Sequence, residues 1–317
     1  MISEYREKDV CYLTITDNNY VAHLLAMIAS LARVENSVPI FIAQLDLTIE
    51  NQELIQEYAD SLRLRLTILP IPDIDLSGFE PCRPYPPVGW LKFYVDRFLP
   101  PQYQRIFFID PDTIILKSIK HIFATDMGGK PLAAVVDPQD TNAELRSRLG
   151  IEPRQHYFNC GVLLIDRKKF VDMHIGEKAA DFAMANPEKI SFIEQCAFNA
   201  VSCDQFHRLG NEWNMMMVHL NEDPHHTNIV HYCGMKPWKT GRAPGIELYT
   251  HFRNKTPLPF HQPLSMKLEH LYYRIRDRLR FSLLAYRLIG KSEKYQNELV
   301  RRGRRVKFAD YVTHQLK

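Results

Sequence analysis

No stretch of this 317-residue sequence approaches the roughly 18 consecutive apolar residues that a membrane-spanning helix needs. The first residues also lack the basic and then apolar pattern of a signal peptide. The six cysteines are scattered, without the paired spacing of a zinc finger or a disulfide framework. These absences predict a cytosolic chain with reduced thiols.

The composition is that of a globular protein, with 45% hydrophobic and 24% charged residues. The charge is unevenly distributed, because residues 264–317 carry fourteen Lys and Arg against five Asp and Glu, whereas residues 1–263 have a net charge of −6. We therefore interpret residues 1–263 as the main domain and residues 264–317 as a basic tail.

The first 70 residues alternate between strand and helix patterns. Apolar or alternating stretches predict strands at Val10–Ile15, Ile40–Leu45 and Leu64–Leu69. Helical periodicity predicts helices at Val21–Val34 and Asn51–Leu62. This succession favours an α/β fold with a Rossmann-like, mostly parallel central sheet flanked by helices.

Six prolines between residues 70 and 88 predict a long irregular loop, which in a compact domain is usually functional or mobile. A helical stretch follows from Gly89, with Trp90, Phe93, Tyr94 and Phe98 facing inward. Further apolar stretches predict strands at Arg105–Ile109, Leu132–Val136, Gly161–Ile165 and Ile229–Tyr232. Between Ile165 and Phe206 the pattern is helical.

Asp110 and Asp112 follow a predicted buried strand, and Pro111 restricts the backbone between them. Ligands of open α/β sheets bind outside the carboxyl ends of the strands, so both carboxylates are candidate ligands of one divalent cation. The alternative interpretation is ordinary turn chemistry, because Asp-Pro-Asp is common in turns.

His231, Gly234 and Lys236 lie within six residues at the end of the last predicted strand. An imidazole can bind a metal ion, a glycine lets the backbone approach a phosphate, and an ammonium group binds a phosphate oxygen. Together with Asp110 and Asp112 they predict a diphosphate site. Taken singly, His231 is typical of a hydrogen-bonded core histidine and Lys236 of a solvated surface charge. A zinc site at His225-His226 is disfavoured by the spacing.

The sequence resembles glycosyltransferase family 8, which contains glycogenin and bacterial lipooligosaccharide galactosyltransferases. The resemblance covers roughly residues 10 to 240 and depends on five motifs in family order. These are Thr16-Asp17-Asn18-Asn19-Tyr20, Phe108-Ile109-Asp110-Pro111-Asp112, Tyr157-Phe158-Asn159-Cys160-Gly161-Val162-Leu163-Leu164-Ile165, Phe192-Ile193-Glu194-Gln195, and His231-Tyr232-Cys233-Gly234 with Lys236-Pro237-Trp238.

The resemblance implies a GT-A fold, a UDP-hexose donor, a Mn²⁺ ion with Mg²⁺ as the alternative, and transfer with retention of the anomeric configuration. Positions that match the family's metal ligands are Asp110, Asp112 and His231. Positions that match its uridine-binding segment are Asp17, Asn19 and Tyr20. Positions that match the lining of the donor sugar are Lys92, Asp137, Asn159, Glu194 and Gln195. Positions that match the pyrophosphate clamp are Gly234 and Lys236.

The chain departs from the family pattern in three places. Lys92 stands where arginine is expected, which preserves the charge but loses the bidentate geometry. Cys196 replaces a carboxylate, and we expect this to remove an acidic group from the pocket region. The proline-rich stretch from 70 to 88 matches the family poorly, and we expect it to affect the choice of sugar and acceptor.

The residues expected to act in catalysis are Asp137, Glu194, Gln195 and Lys236. A retaining glycosidase uses a carboxylate nucleophile on the far face of the sugar, but the amide of Gln195 is a weak nucleophile and Glu194 could instead bind a sugar hydroxyl. We therefore favour attack on the same face, in which the leaving phosphate helps to deprotonate the acceptor hydroxyl and Lys236 stabilises the departing UDP.

The basic tail begins with a predicted amphipathic helix after Pro263 and includes the run Arg301-Arg302-Gly303-Arg304-Arg305. We expect it to attach the protein to an anionic membrane surface on the inner face of the cell membrane. The expected acceptor is lipopolysaccharide, lipooligosaccharide or another cell-surface glycan. The alternatives are a protein or glycan-primer glycosyltransferase, a nucleic-acid-binding protein and a catalytically inactive sugar-binding protein, although the acidic main domain argues against nucleic acid.

Overall fold

A computed structural model describes residues 6–70, 73–216, 224–285 and 311–316 of the chain. These segments contain ten strands, and seven of them correspond to strands that the sequence pattern predicts. The strands are β1 Val10–Thr16, β2 Ile40–Gln44, β3 Leu66–Ile68, β4 Arg105–Ile109, β5 Thr113–Ile115, β6 Leu132–Val136, β7 Phe158–Asp166, β8 Phe206–Arg208, β9 Met215–Met216 and β10 Ile229–His231.

Seven strands form the central sheet, in the order β3-β2-β1-β4-β7-β6-β8. Every neighbouring pair is parallel except the two pairs that contain β7, which runs antiparallel to both β4 and β6. The prediction of a mostly parallel sheet is therefore confirmed. The inverted β7 brings its amino-terminal end to the same sheet edge as the carboxyl end of β4.

A small second sheet continues from that edge, in the order β5-β10-β9. Three residues separate the end of β4 from the start of β5, and β10 pairs with β5 antiparallel so that His231 lies opposite Thr113. This pairing brings two segments together that are more than one hundred residues apart in the sequence.

The helices flank the central sheet. They are α1 Val21–Ala32, α2 Ile49–Ser61, α3 Val95–Phe98, α4 Ala143–Arg148, α5 Arg167–Asp172, α6 Ile175–Ala185, α7 Ile193–Ser202, α8 Ile246–Arg253 and α9 Leu264–Ala285. Apolar residues cover both faces of the sheet, as the alternating side chains of β4 show. Phe107 and Ile109 belong to the core cluster that contains α1, whereas Ile106 and Phe108 belong to the cluster that contains α6 and α7.

The predicted elements differ from the structure mainly where they are short. The helical stretch predicted from Gly89 is mostly a 3₁₀ helix, Pro87–Tyr94, which α3 continues. Strands β5, β8 and β9 were not predicted, because two or three residues are too few to show a period. In the proline-rich stretch, residues 73–86 form turns without a helix or a strand, in agreement with the predicted loop.

The start of the basic tail forms α9, and the described part of the chain contains no helix that is long and apolar enough to cross a membrane. The arginine run at residues 301–305 lies outside the described residues. Tyr311 and Leu316 are buried and belong to the main core cluster, so the described end of the tail packs on the domain.

Gly176 in α6 allows this helix to approach the 3₁₀ helix that carries Lys92. A Cβ atom at residue 176 would lie 1.9 Å from the carbonyl oxygen of Phe93 and 3.0 Å from the ring of Phe170. We therefore expect Gly176→Ala to lower the free energy of unfolding by about 1–3 kcal/mol, measured by urea denaturation.

The control is Gly78→Ala, because the added methyl group would meet only the flexible end of Met184, with Sδ at 2.9 Å. We expect it to change the free energy of unfolding by less than about 0.5 kcal/mol. Equal losses for the two variants would show that the contact between α6 and the 3₁₀ helix is not tight.

Candidate active site

Three candidate metal ligands converge at the edge where β4 ends. Asp110 and Asp112 lie in the turn between β4 and β5, and the pairing of β10 with β5 brings His231 beside them. The Nε2 atom of His231 lies 3.3 Å from Oδ1 of Asp112 and 3.8 Å from Oδ2 of Asp110. One ligand atom from each residue can be chosen so that all three lie within 4.8 Å of one another. Two carboxylates and an imidazole at this spacing fit a divalent cation.

Gly161 of β7 makes room for these ligands. The backbone nitrogen of Asp110 donates to the carbonyl of Gly161 at 2.7 Å, so the two strands are tightly joined at this point. A Cβ atom on residue 161 would lie 2.2 Å from Cε1 of His231 and 2.7 Å from Oδ2 of Asp110. Only glycine fits beside the ligand set.

Asn214 orients His231. The Nδ2 group of Asn214 donates to Oδ1 of Asn159 at 2.8 Å, and its Oδ1 lies 2.9 Å from Nδ1 of His231. Because the Oδ1 atom of Asn214 can only accept a hydrogen bond, Nδ1 of His231 is the donor. The lone pair of Nε2 is then directed at the two aspartates. This is the tautomer that can bind a metal ion.

Lys236 forms an ion pair with Asp112. Burial raises the pKa of Asp112, but Lys236 and His231 outweigh it and hold this pKa well below its ordinary value. Asp112 is therefore a carboxylate at neutral pH. Gly234 has a φ of +81°, and no atom would meet a Cβ added there within 4 Å, so the backbone of this segment is open.

Lys92 forms a second buried ion pair network. Its Nζ lies 3.0 Å from Oδ1 of Asp110 and 2.6 Å from Oε1 of Glu194, and it donates to the carbonyl of Cys160 at 3.2 Å. Burial lowers the pKa of Lys92, but Asp110 and Glu194 raise it above its ordinary value, so the ammonium group is charged. Burial raises the pKa of Glu194. The other oxygen of Glu194, Oε2, is buried and has no hydrogen-bond partner among the described residues.

A third group of polar side chains connects β6, β7 and α7. Asn159 Nδ2 donates to Oδ2 of Asp137 at 2.8 Å and to Oε1 of Gln195 at 3.1 Å. Gln195 Oε1 also accepts from the backbone nitrogen of Cys160, and its Nε2 donates to Asp137 and to the hydroxyl of Tyr157. The amide of Gln195 is thus held at both ends.

The segment that was expected to bind uridine lies on the same side of the site. Asp17 accepts from the backbone nitrogen of Tyr20 at 3.0 Å and from the side chain of Asn19 at 3.4 Å. Burial raises the pKa of the Tyr20 phenol to about 12, with Asp112 raising it further and Lys236 lowering it. Tyr20 therefore lies within the electrostatic range of the predicted metal and diphosphate residues.

The structure brings the sequence-predicted site residues to one edge of the sheet. Cys196 is fully buried in a separate cluster with Leu145 and Cys203, where its Sγ accepts from the backbone nitrogens of Ser191 and Phe192. Its Sγ also lies 3.7 Å from the hydroxyl of Tyr157, which accepts from Nε2 of Gln195, so Cys196 borders the polar network through Tyr157. The expectation that Cys196 removes an acidic group from the pocket region stays a prediction.

Asn214 was missed by sequence reasoning. It lies between a three-residue 3₁₀ turn and the two-residue strand β9, so neither a charge nor a period marks it. His225 and His226 are exposed, as expected for a solvated loop. Within the part of the chain that the structure describes, Asp110, Asp112 and His231 form the one set of three side chains with the geometry of a metal site.

Comparison with known proteins agrees with this arrangement. The family model described as Glycosyl transferase family 8 matches residues 11–241. General stress protein A of Bacillus subtilis is 24% identical over 278 residues, which cover 79% of this chain and 96% of that protein. Lipopolysaccharide 1,2-glucosyltransferase of Escherichia coli is 24% identical over 210 residues, so the matched region spans 62% of that relative.

Solved structures share the fold. The galactosyltransferase LgtC in complex with donor and acceptor sugar analogs has a TM-score of 0.68 at 18% identity, covering 81% of this chain and 99% of that one. Glycosyltransferase GlyE of Streptococcus pneumoniae has a TM-score of 0.60 at 19% identity, covering 78% of this chain and 60% of that one. The expected GT-A fold is thereby confirmed.

The close approach at Gly161 predicts that Gly161→Ala weakens metal binding at least about tenfold, because the methyl group would displace His231 or Asp110. Mn²⁺ binding is measured by the electron paramagnetic resonance of the free ion. The control is Val162→Ala at the next position of β7, which removes volume from the main core and leaves the ligands in place. Equal loss of Mn²⁺ binding in both variants would assign the effect to general destabilisation.

Proposed function

The chain belongs to glycosyltransferase family 8, and from this we propose that it transfers a hexose from a UDP-sugar to a saccharide acceptor, with the help of a divalent cation and with retention of the anomeric configuration. The observation that carries the proposal is the convergence of three sets of polar side chains with separate chemical uses. The triad Asp110, Asp112 and His231, the ammonium group of Lys236 and the polar network around Gln195 all lie at one edge of the sheet.

Asp110, Asp112 and His231 would hold the ion, which we propose is Mn²⁺, with Mg²⁺ as the alternative. Such an ion stabilises the negative charge that develops on a leaving diphosphate. Lys236 would add a second positive charge there, because its ammonium group already lies beside Asp112.

The donor pocket suits a UDP-hexose. Tyr20 offers an aromatic ring for the uracil base, and Asp17 and Asn19 offer polar groups beside it. The sugar hydroxyls would meet ammonium, carboxylate and amide groups whose positions are fixed by ion pairs and hydrogen bonds: Lys92, Asp137, Asn159, Glu194 and Gln195. We propose glucose or galactose as the hexose.

The geometry of Gln195 favours a positioning role. Its carbonyl oxygen accepts two hydrogen bonds and its nitrogen donates two, so both lone pairs of the oxygen, the atom that would attack the sugar, are already in use. Glu194 has one unpaired buried oxygen, which suits acceptance of a hydrogen bond from a sugar hydroxyl. We therefore propose same-face attack by the acceptor, with Asp137 and Glu194 orienting the hexose and Lys236 stabilising the departing UDP.

The acceptor side of the site is aromatic. Tyr85 of the proline-rich loop is 38% exposed and its ring meets that of Phe192 at 6.3 Å. Burial raises the pKa of the Tyr85 phenol, as do Cys82 and Glu194, whereas Lys236 lowers it. Exposed aromatic rings beside a polar pocket suit a saccharide face. A cell-surface glycan such as lipopolysaccharide is the acceptor that we propose, and a protein or glycan primer is the alternative.

Helix α9 has an unusual orientation that supports attachment to a membrane surface. Two of its polar side chains face the domain, since Glu269 accepts from the backbone nitrogen of Gly241 at 2.9 Å and His270 lies 3.1 Å from Glu247. Its apolar side chains point outward, with exposed fractions of 49% to 71%: Leu264, Leu268, Leu271, Tyr272 and Ile275.

An outward apolar stripe next to many basic residues matches an anionic lipid surface. Lys267 lies on α9, and the sequence of residues 264–317 has a net charge of +9. We therefore propose that the protein is peripheral on the inner face of the cell membrane and that it works on a membrane-linked glycan.

The reaction is tested by the release of UDP from a panel of UDP-sugars with and without Mn²⁺. We expect Mn²⁺-dependent turnover of one UDP-hexose, and we expect Asp112→Asn to reduce it by at least about 100-fold because the variant loses a charged ligand. Asp172→Asn removes an exposed surface carboxylate and should behave as the native protein. Folded native protein that neither binds nor turns over any UDP-sugar would contradict the proposal.

Membrane attachment is tested by sedimentation with vesicles that contain anionic lipid. We expect Leu268→Ser with Leu271→Ser to weaken binding at least about tenfold, because two apolar side chains would lose their burial in the lipid interface. Binding of the native protein should also weaken with salt. The control is Ile49→Ser, which changes an isolated side chain of 70% exposure on α2. Equal binding of all three proteins would show that α9 does not bind the membrane.

A further inference from the structure

An aromatic cluster lies directly behind the segment that carries Lys236. The rings of His23 and Trp238 are stacked, with their centroids 3.6 Å apart and 24° between their planes. Tyr249 of α8 lies beside both rings, at 5.9 Å from His23 and 5.2 Å from Trp238. The edge of Tyr20 meets both as well. Trp238 is therefore enclosed by rings from the uridine segment, from α1 and from α8.

His23 is the most constrained member of the cluster. It is 8% exposed, and its Nδ1 atom lies 2.6 Å from the hydroxyl of Tyr249, which is 2% exposed. This short hydrogen bond fixes the imidazole relative to the phenol of Tyr249, whichever of the two atoms donates. The imidazole cannot rotate without losing this bond or the stack on Trp238.

His23 is neutral in the folded protein. Burial lowers its pKa to about 3, and among the facing groups Asp112 raises this pKa whereas Arg253, Lys236 and Lys239 lower it. A histidine with such a pKa neither gives nor takes a proton near neutral pH. Its contribution is therefore that of a rigid, hydrogen-bonded ring.

The segment from Cys233 to Trp238 needs such an anchor. It contains no helix or strand, and within the described residues its backbone hydrogen bonds are local ones from Lys239 and Thr240 to the carbonyl of Lys236. The Nζ atom of Lys236 lies 5.5 Å from the centre of the Trp238 ring and pairs with Asp112. A lysine on an irregular segment loses conformational entropy when it is held against a phosphate. A fixed ring beside the lysine restricts it beforehand and so reduces that loss.

We propose that His23 is a positioning residue, which fixes the ring of Trp238 and thereby holds Lys236 toward the diphosphate of a bound nucleotide sugar. The inference rests on the proposed function of the site. His23 itself lies one ring away from Lys236 and acts through Trp238.

The test compares the affinities of UDP and of uridine in the presence of Mn²⁺, measured by calorimetry and by nuclear magnetic resonance. The ratio of the two affinities reports the contribution of the diphosphate. We expect His23→Ala to weaken UDP binding about three- to tenfold and to leave uridine binding unchanged, because only the contact of Lys236 depends on the stack.

Two further substitutions separate the stack from the hydrogen bond. His23→Asn keeps a polar atom near the position of Nδ1 but removes the ring. We expect it to weaken UDP binding as much as His23→Ala does. It replaces the alanine variant in the test if that variant does not fold. His23→Phe keeps an aromatic ring for the stack on Trp238, so most of the UDP affinity should remain.

A double-mutant cycle with Lys236→Met shows whether the effect passes through the lysine. In the Lys236→Met background we expect His23→Ala to have no further effect on UDP affinity. The control His251→Ala removes a histidine of α8 that contacts Phe252 and not Trp238, and it should leave both affinities unchanged.

The outcomes separate this inference from the proposed function. If native protein binds no UDP, the nucleotide-sugar proposal fails and the role of His23 fails with it. If native protein binds UDP but His23→Ala and His23→Asn retain its affinity, or lose UDP and uridine affinity equally, then only the positioning role is overturned. An additive effect in the Lys236→Met background would overturn it as well.

Discussion

The site depends on the electrostatic cost of holding several carboxylates together inside the protein. Asp110 and Asp112 are separated by one residue, Glu194 lies beside Lys92, and the side chains of Asp112 and Glu194 are only 7% and 6% exposed. Buried carboxylates at such spacing are costly unless positive charges neutralise them. Lys92 pairs with Asp110 and Glu194, and Lys236 pairs with Asp112. Each of the two ammonium groups therefore offsets the electrostatic cost of burying the carboxylates beside it.

This requirement explains why distant segments meet at one sheet edge. Lys92 comes from a 3₁₀ helix that is pressed against α6 at Gly176, and Lys236 comes from the irregular segment after β10. Neither lysine is close to the aspartates in the sequence. The inverted strand β7, with glycine at residue 161, then lets His231 and Asp110 approach the same point. The fold thus supplies charge and space from different elements to a single turn.

The sequence could predict the parts of this site that follow from strands with a clear period. Asp110 is recognisable because five buried residues precede it, and His231 because an apolar stretch leads to it. The pairing between Lys92 and Glu194 could not be predicted, because an ion pair across one hundred residues leaves no local pattern. The role of Asn214 could not be predicted for a related reason, because an asparagine between two very short elements is typical of a loop. Only its hydrogen bonds to Asn159 and His231 show that it orients the imidazole.

The polar network has a direction, and that direction links the expected sugar pocket to the expected metal site. Gln195 accepts from Asn159, Asn159 accepts from Asn214 through its oxygen, and Asn214 accepts from Nδ1 of His231. An amide has its donor and acceptor on opposite ends, so reversing one of these side chains would reverse the next. The tautomer of His231 is consequently set by residues that were expected to line the donor sugar. A change at Asn159 or Gln195 should therefore disturb the expected metal site as well as the expected sugar pocket.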